Sequence, residues 1–286
     1  MAYVRPTRHI YDLFTRARPV PGDPAPQMAA TLPLSAAQAP DAGAVLRLRV
    51  ALADGARTTV HVAAYDTAAT ELRVALLGGQ RQLAAWCAAT GYTDAIVGGF
   101  FVRPDGAPLG EVRTHGVRRR HVPFTAPWHR VRACVHVEGG TARIAPRDEL
   151  PADPRGDLLQ AGPMLVRDSR PVYRRAGDPE GFRLGAWQFD SDISAGRYPR
   201  AALGLSPGRM LAVAVDGRGA HDAGLTLEEL AALMAGLGTT DALNLDGGGS
   251  TTLVCGGRLR NRPRAARGVP EPGGRPITTA LLFAPR

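Results

Sequence analysis

At 286 residues, 44% of them hydrophobic and 21% charged, the chain can bury one large core or two modest ones and reads as an ordinary globular protein. Its net charge of +9 rests on arginine alone, because the sequence contains no lysine, and at 6% its aromatics are too few to interleave with basic runs as a nucleic-acid surface requires. No stretch approaches the roughly 18 apolar residues of a membrane span, the N-terminus shows no apolar core of a secretory signal, and three scattered cysteines without C-x-x-C argue for a reducing, cytoplasmic setting.

Residues 1–42 read as a proline-rich extension, carrying Pro19, Pro21, Pro24, Pro26, Pro33 and Pro40. Residues 43–286 read as one folded domain of the α/β class, with mixed β-sheets and flanking helices. Alternation predicts a strand over Val45–Val50, a turn at Asp54-Gly55 and a returning strand over Thr58–Ala64. A third strand is expected over Leu72–Leu77 and a helix over Gln80–Thr90. The run Asp94-Ala-Ile-Val-Gly-Gly-Phe-Phe101 follows as an apolar strand ending in glycines.

Between Pro104 and Asp157, Val131–Val137 and Ala142–Ala145 predict a hairpin around Gly139-Gly140, and the basic run Arg118–His121 reads as a solvated loop. Asp190 and Asp192 read as loop acids.

The C-terminal third is the best defined. Met210–Val215 is an apolar strand ending in Asp216-Gly217-Arg218. The helix Thr226–Leu237 opens on a Thr226/Glu229 capping box. The strand Ala242–Leu245 then delivers Asp246 into Gly247-Gly248-Gly249-Ser250, followed by a second strand over Thr251–Val254. A strand, helix, strand order is most simply a crossover between parallel strands, which puts Asp216 and Asp246 at one edge of a sheet, where open α/β sheets bind ligands. The two helix-to-strand units ending in Gly98-Gly99 and in Gly247–Gly249 aim glycine-rich strand ends at a common site.

Successive amides in a glycine bend form an anion site that the ligand can approach closely. It is neither a Walker loop, which needs a lysine, nor a dinucleotide fingerprint, which opens a helix; this argues against ATP and NAD, and no cofactor is expected. The histidines show no metal-ligand spacing, and His115 and His221 read as surface or core residues. Ser250 has no nucleophile elbow around it. Two strand-end carboxylates serve glycoside hydrolysis, and Arg200, Arg218, Arg262 and Arg275 could stabilise an anionic leaving group in place of a general acid.

The ordered set Ala161-Gly-Pro163, Arg200-Ala-Ala-Leu-Gly204, Val215-Asp-Gly-Arg218, Gly224-Leu-Thr-Leu227, Asn244-Leu-Asp-Gly-Gly-Gly-Ser250, Asn261-Arg-Pro263 and Arg275 resembles the phosphodiester glycosidase family. Ile96-Val-Gly-Gly-Phe-Phe101 resembles a further segment of it, with Val97 where the family carries Asn. The resemblance implies a compact α/β domain that hydrolyses the glycosidic C–O bond of a sugar-1-phosphodiester, or of a phosphoglycosylated metabolite, releasing sugar and phosphomonoester. It implies Asp216 and Asp246 as the carboxylates and Asn244 as the residue positioning sugar hydroxyls. Arg200, Arg218, Arg275, Gly98, Gly99, Gly247, Gly248, Gly249 and Ser250 would hold the substrate, with its phosphate on the arginines and the glycine run. No metal, nucleic acid or membrane enters this expectation. A phosphodiesterase cutting P–O and a non-catalytic binder of anionic saccharides are the alternatives, and which Asp attacks stays open.

Overall fold

The computed structural model describes residues 45–174, 176–183 and 193–286. The proline-rich extension, together with Asp190 and Asp192, lies outside the described residues. The strands are β1 (Val45–Ala51), β2 (Arg57–Asp66), β3 (Thr70–Arg81), β4 (Ala95–Val97), β5 (Val112–Thr114), β6 (Val117–Arg118), β7 (Ala133–Glu138), β8 (Thr141–Pro146) and β9 (Asp157–Gln160). They continue with β10 (Met164–Arg167), β11 (Arg170–Pro171), β12 (Arg200–Ser206), β13 (Arg209–Val215), β14 (Asp241–Asn244), β15 (Leu253–Cys255), β16 (Arg258–Leu259) and β17 (Ile277–Pro285). Helices α1 (Leu83–Thr90), α2 (Trp128–Val131) and α3 (Leu227–Gly236) connect them.

These strands form three sheets, in the orders β1-β2-β13-β12-β14-β10-β11, β16-β15-β4-β17-β3 and β6-β5-β9-β7-β8. The large sheet is buried on both faces, which is why β13 reads as an unbroken apolar run rather than an alternation. Its Met210, Ala212 and Ala214 enter the core shared with the other two sheets, and Leu211, Val213 and Val215 pack in the core that holds α3. Helix α3 begins where the capping box places it: Thr226 Oγ1 accepts the Glu229 amide, and Glu229 returns a carboxylate to the Thr226 amide.

The parallel relation of β13 and β14 follows from their pairing. Both run antiparallel to β12, which lies between them. Asp216 and Asp246 therefore both leave the same edge of the large sheet.

Three boundaries differ from the sequence reading; β7 starts at Ala133 rather than Val131, which closes helix α2. Gln80 and Arg81 extend β3, and helix α1 starts only at Leu83, because Ile277 of β17 pairs with Arg81 and holds that end extended. The second strand after the glycine run starts at Leu253, since residues 248–250 first make a 3-10 turn. That turn carries the chain out of the seven-stranded sheet and into the five-stranded sheet containing β4. The two glycine-rich strand ends meet there, the Asp246 amide donating to the Gly98 carbonyl at 3.0 Å.

Candidate active site

A cleft opens beside the glycine run that follows β14. Phe100, Phe101, Val102 and Arg103 line one side, Ile193, Tyr198, Arg200 and Arg218 a second, and the run Asn244–Ser250 with Arg275 completes it. Asp246 supplies its only carboxylate among the described residues, in a lining that also holds Arg103, Arg200, Arg218 and Arg275.

Asp246 is half-buried and its Oδ1 accepts the Gly247 amide at 2.9 Å. Desolvation pushes its carboxyl up to about 6, against the opposing pull of the Ser250 hydroxyl, the Gly247 amide, and the charges of Arg275 and Arg103. A carboxyl group poised there can exchange a proton near neutrality.

The arginines differ in what holds them. Arg200, on β12, is buried and gives Nε to the Leu225 carbonyl at 2.9 Å. Arg218 has a left-handed backbone at φ 58°, a conformation that costs a non-glycine residue of order 1 kcal/mol and recurs at functional sites. Its guanidinium lies 3.3 Å from where a Cβ on Gly248 would sit, and donates to the Arg264 carbonyl at 3.3 Å. Burial, reinforced by the like charge of Arg275, holds Arg218 below its ordinary pKa. Arg275 reaches over the next glycine: its Nη2 would be 2.8 Å from a Cβ on Gly249. Its carboxylate neighbour, Glu271, is 3.8 Å away. Tyr198 spaces two of these cations, with Arg200 and Arg218 each 5.3 Å from its ring centroid.

One polar atom of the cleft, Asn244 Oδ1, is buried without a hydrogen-bond partner among the described residues. Asn244 Nδ2 is anchored to the Gly162 carbonyl at 2.8 Å, so the amide cannot turn freely and presents its oxygen as an acceptor. A buried acceptor left unmatched costs about 1–3 kcal/mol, which a ligand hydroxyl would recover.

Three sequence expectations are corrected here. Asp216 does not line the cleft. It is 2% exposed, its Oδ2 meeting His61 Nε2 of β2 at 2.9 Å and its Oδ1 accepting the Arg262 amide at 2.7 Å. Both oxygens are consumed in tying the 261–263 segment to the sheet, so the two carboxylates do not flank one cleft. Asp216→Ala is therefore expected to cost about 1–3 kcal/mol of stability by leaving the buried His61 side chain and the Arg262 amide without their acceptor, with Asp216→Asn milder; an unchanged melting temperature in the alanine variant would refute the structural role.

Gly98 and Gly99 are also absent from the lining. A Cβ on Gly98 would come within 2.8 Å of the Thr279 backbone carbon, and one on Gly99 within 3.1 Å of the Gln160 carbonyl, so these glycines permit the close packing of β17 and β9 beneath the site. Val97 sits in the core on β4, fully buried.

The third correction concerns the amide nest. The Gly247 amide bonds Asp246, that of Gly248 the Pro199 carbonyl at 2.8 Å, and that of Ser250 the Gly247 carbonyl at 3.1 Å. Three of the run's four amides are thus taken, and only that of Gly249 makes no such bond among the described residues, so anion recognition falls mainly to the guanidinium groups. Arg262, His115 and His221 are exposed and do not line the cleft. The sequence reading missed Phe101, Arg103, Ile193 and Tyr198 as cleft residues; only the Phe-Phe pair after Gly99 was conspicuous in the sequence. Among the described residues no cluster of His, Cys, Asp and Glu could hold a metal ion.

Comparison with known proteins places this geometry. The family model for phosphodiester glycosidase matches residues 90–284. The prophage-derived uncharacterized protein YomE of Bacillus subtilis is 31% identical over 135 residues, covering 45% of this chain and 19% of that protein, so the chain matches a minor part of that relative. Among solved structures, the catalytic domain of zebrafish N-acetylglucosamine-1-phosphodiester alpha-N-acetylglucosaminidase, auto-inhibited by its pro-peptide, superposes with a TM-score of 0.63 at 17% identity, covering 85% of this chain and 83% of that one. A hypothetical protein from Synechocystis gives a TM-score of 0.58 at 18% identity, covering 86% and 64%. At these identities the structures attest a shared fold.

Proposed function

The chain belongs to the phosphodiester glycosidase family, and on that premise we propose that it hydrolyses the glycosidic C–O bond of a sugar-1-phosphodiester. The observation that supports the reading is one carboxylate, Asp246, sharing the lining of one cleft with four arginines, with the charges of Arg275 and Arg103 acting on it. A conventional glycosidase needs a second acid because an alkoxide leaves poorly without a proton. A phosphomonoester, with a second pKa of about 6, leaves as an anion that guanidinium groups can stabilise.

In this reading Asn244 Oδ1 accepts a hydroxyl of the sugar, and Arg218 and Arg275 hold the phosphoryl oxygens. Asp246 in its ionised form assists attack at the anomeric carbon, as nucleophile or as base for water. The C1–O bond breaks with its electron pair passing to the phosphate oxygen, water supplies the hydroxyl of the free sugar, and the remaining proton goes to Asp246 or to solvent. The guanidinium contacts strengthen as the phosphoryl charge grows, which is the condition for lowering the barrier rather than only binding substrate.

The test is hydrolysis in ¹⁸O-labelled water of a sugar-1-phosphodiester beside a neutral glycoside of the same sugar. Label is expected in the sugar, with the neutral glycoside a poor substrate. Label in the phosphate would instead identify a phosphodiesterase, and binding without turnover a saccharide-binding protein.

A further inference from the structure

The segment Glu271-Pro-Gly-Gly-Arg275 is a tight turn, closed by the Gly274 amide on the Glu271 carbonyl at 2.8 Å. It is clamped from two sides. Gln82 Nε2 donates to the Pro272 and Gly274 carbonyls at 3.0 and 3.1 Å, and the Arg275 amide donates to the Gly249 carbonyl at 3.1 Å. So fixed, the turn sets both of its charged ends on one residue of the cleft lining. Glu271 Oε2 and Arg275 Nη2 would lie 2.4 and 2.8 Å from a Cβ on Gly249.

Glu271 is poorly placed for a structural ion pair. Its Oε1 is 3.8 Å from Arg275 Nε, too far for a hydrogen bond, and its Oε2 is buried without a hydrogen-bond partner among the described residues. A carboxylate oxygen in that state costs stability; what it supplies is charge. That charge acts on Arg218 as well as on Arg275, opposing the fall in the Arg218 pKa that burial and Arg275 cause. Glu271 therefore lies in the field of both guanidinium groups assigned to the phosphoryl oxygens, and a phosphate held by them feels its repulsion. A phosphodiester carries one negative charge at every pH of interest, whereas a monoester carries close to two above its second pKa of about 6. Glu271 repels the second of these charges as it does the first.

We propose that Glu271 is a specificity-determining residue of the cleft: its charge holds down the affinity for phosphate monoester dianions, so that the diester is taken up and the phosphomonoester it yields is not retained. This rests on the reading of the cleft as a phosphodiester site. The same charge works against the second negative charge as it develops on the leaving group, so Glu271 acts on selection and product release rather than on bond breaking.

The test is calorimetric titration of the full chain with methyl phosphate and with dimethyl phosphate at about pH 7.5, where the first is close to a dianion and the second a monoanion. The quantity read is the ratio of the two affinities. Glu271→Gln is expected to shift it toward methyl phosphate by at least about tenfold, the contribution of one nearby charge at a partly buried site. Glu271→Ala, which offers no new donor beside Gly249, should do the same, and Glu271→Asp, which keeps the charge, should stay near the parent; melting checks that each variant folds. Glu149→Gln neutralises a carboxylate that pairs with Arg167 outside the cleft lining, and as the control should leave the ratio unchanged. A ratio that moves less than about threefold in both neutral variants would assign Glu271 a structural role only and overturn the proposal. Binding of neither probe to any of these proteins would remove the phosphate site and the proposal with it. The outcomes separate it from the hydrolase reading: a shifted ratio without turnover sinks only the hydrolase, and turnover with an unshifted ratio sinks only the role of Glu271.

Discussion

Asp246→Asn is expected to leave the fold intact and to lower turnover of a sugar-1-phosphodiester by at least about 10²-fold, the low end for a positioned acid–base group. Asparagine keeps an oxygen for the Gly247 amide, so the bond that shapes the turn survives the substitution. In the parent protein the rate should rise with pH through about 6, because burial has moved the Asp246 carboxyl there and the proposed role needs the ionised form. The stability trend has the opposite sign. A carboxyl whose folded pKa is raised above its unfolded value contributes stability at low pH and loses it as pH climbs through the folded pKa. The asparagine variant should therefore melt no lower than the parent at about pH 7.5, and its advantage should shrink toward about pH 4. Near-normal turnover in the folded variant, or a pH–rate profile flat between 5 and 7, would remove Asp246 from the mechanism.

Arg218→Lys should reduce kcat/KM for the phosphodiester by about 10- to 100-fold although the charge is kept. A guanidinium offers a fixed fork to two phosphoryl oxygens where an ammonium offers a single point, and one hydrogen bond to a charged group amounts to about 1.5–3 kcal/mol. The loss should appear in kcat as well as in KM, because the leaving group gains charge between ground and transition states. Arg218 holds a left-handed backbone and lies against Gly248, so lysine inherits the strain without the planar group that exploits it. Arg262→Lys, on an exposed side chain outside the cleft, is the control and should change little. A fully active Arg218→Lys protein would show that the phosphate is recognised elsewhere.

Local sequence determined more of this protein than its length suggests. The apolar runs of β13 and β14 are readable because strands covered on both faces need no alternation, and α3 is readable from its capping box, whose partners lie three residues apart. The glycine run and the arginines near it were conspicuous by composition, and Arg200, Arg218, Asn244, Asp246 and Arg275 do converge on one cleft. The tertiary structure alone decided the division between the two aspartates. Each follows a strand of the same sheet and leaves the same edge, so their local contexts look alike. Asp216 is claimed by His61, 155 residues away in sequence, and by the amide of Arg262, whereas among the described residues the hydrogen bonds to Asp246 come from its own loop, from Gly247 and Ser250. The same holds for the glycines: whether an amide faces a ligand or its own loop depends on where Pro199 lies, and whether Gly98 lines a cleft or sits beneath it depends on Thr279. Periodicity and turn chemistry report how a segment is buried. Which distant backbone satisfies a polar group at the end of that segment is settled only when the sheets pack, because every buried donor and acceptor must then find its partner in three dimensions.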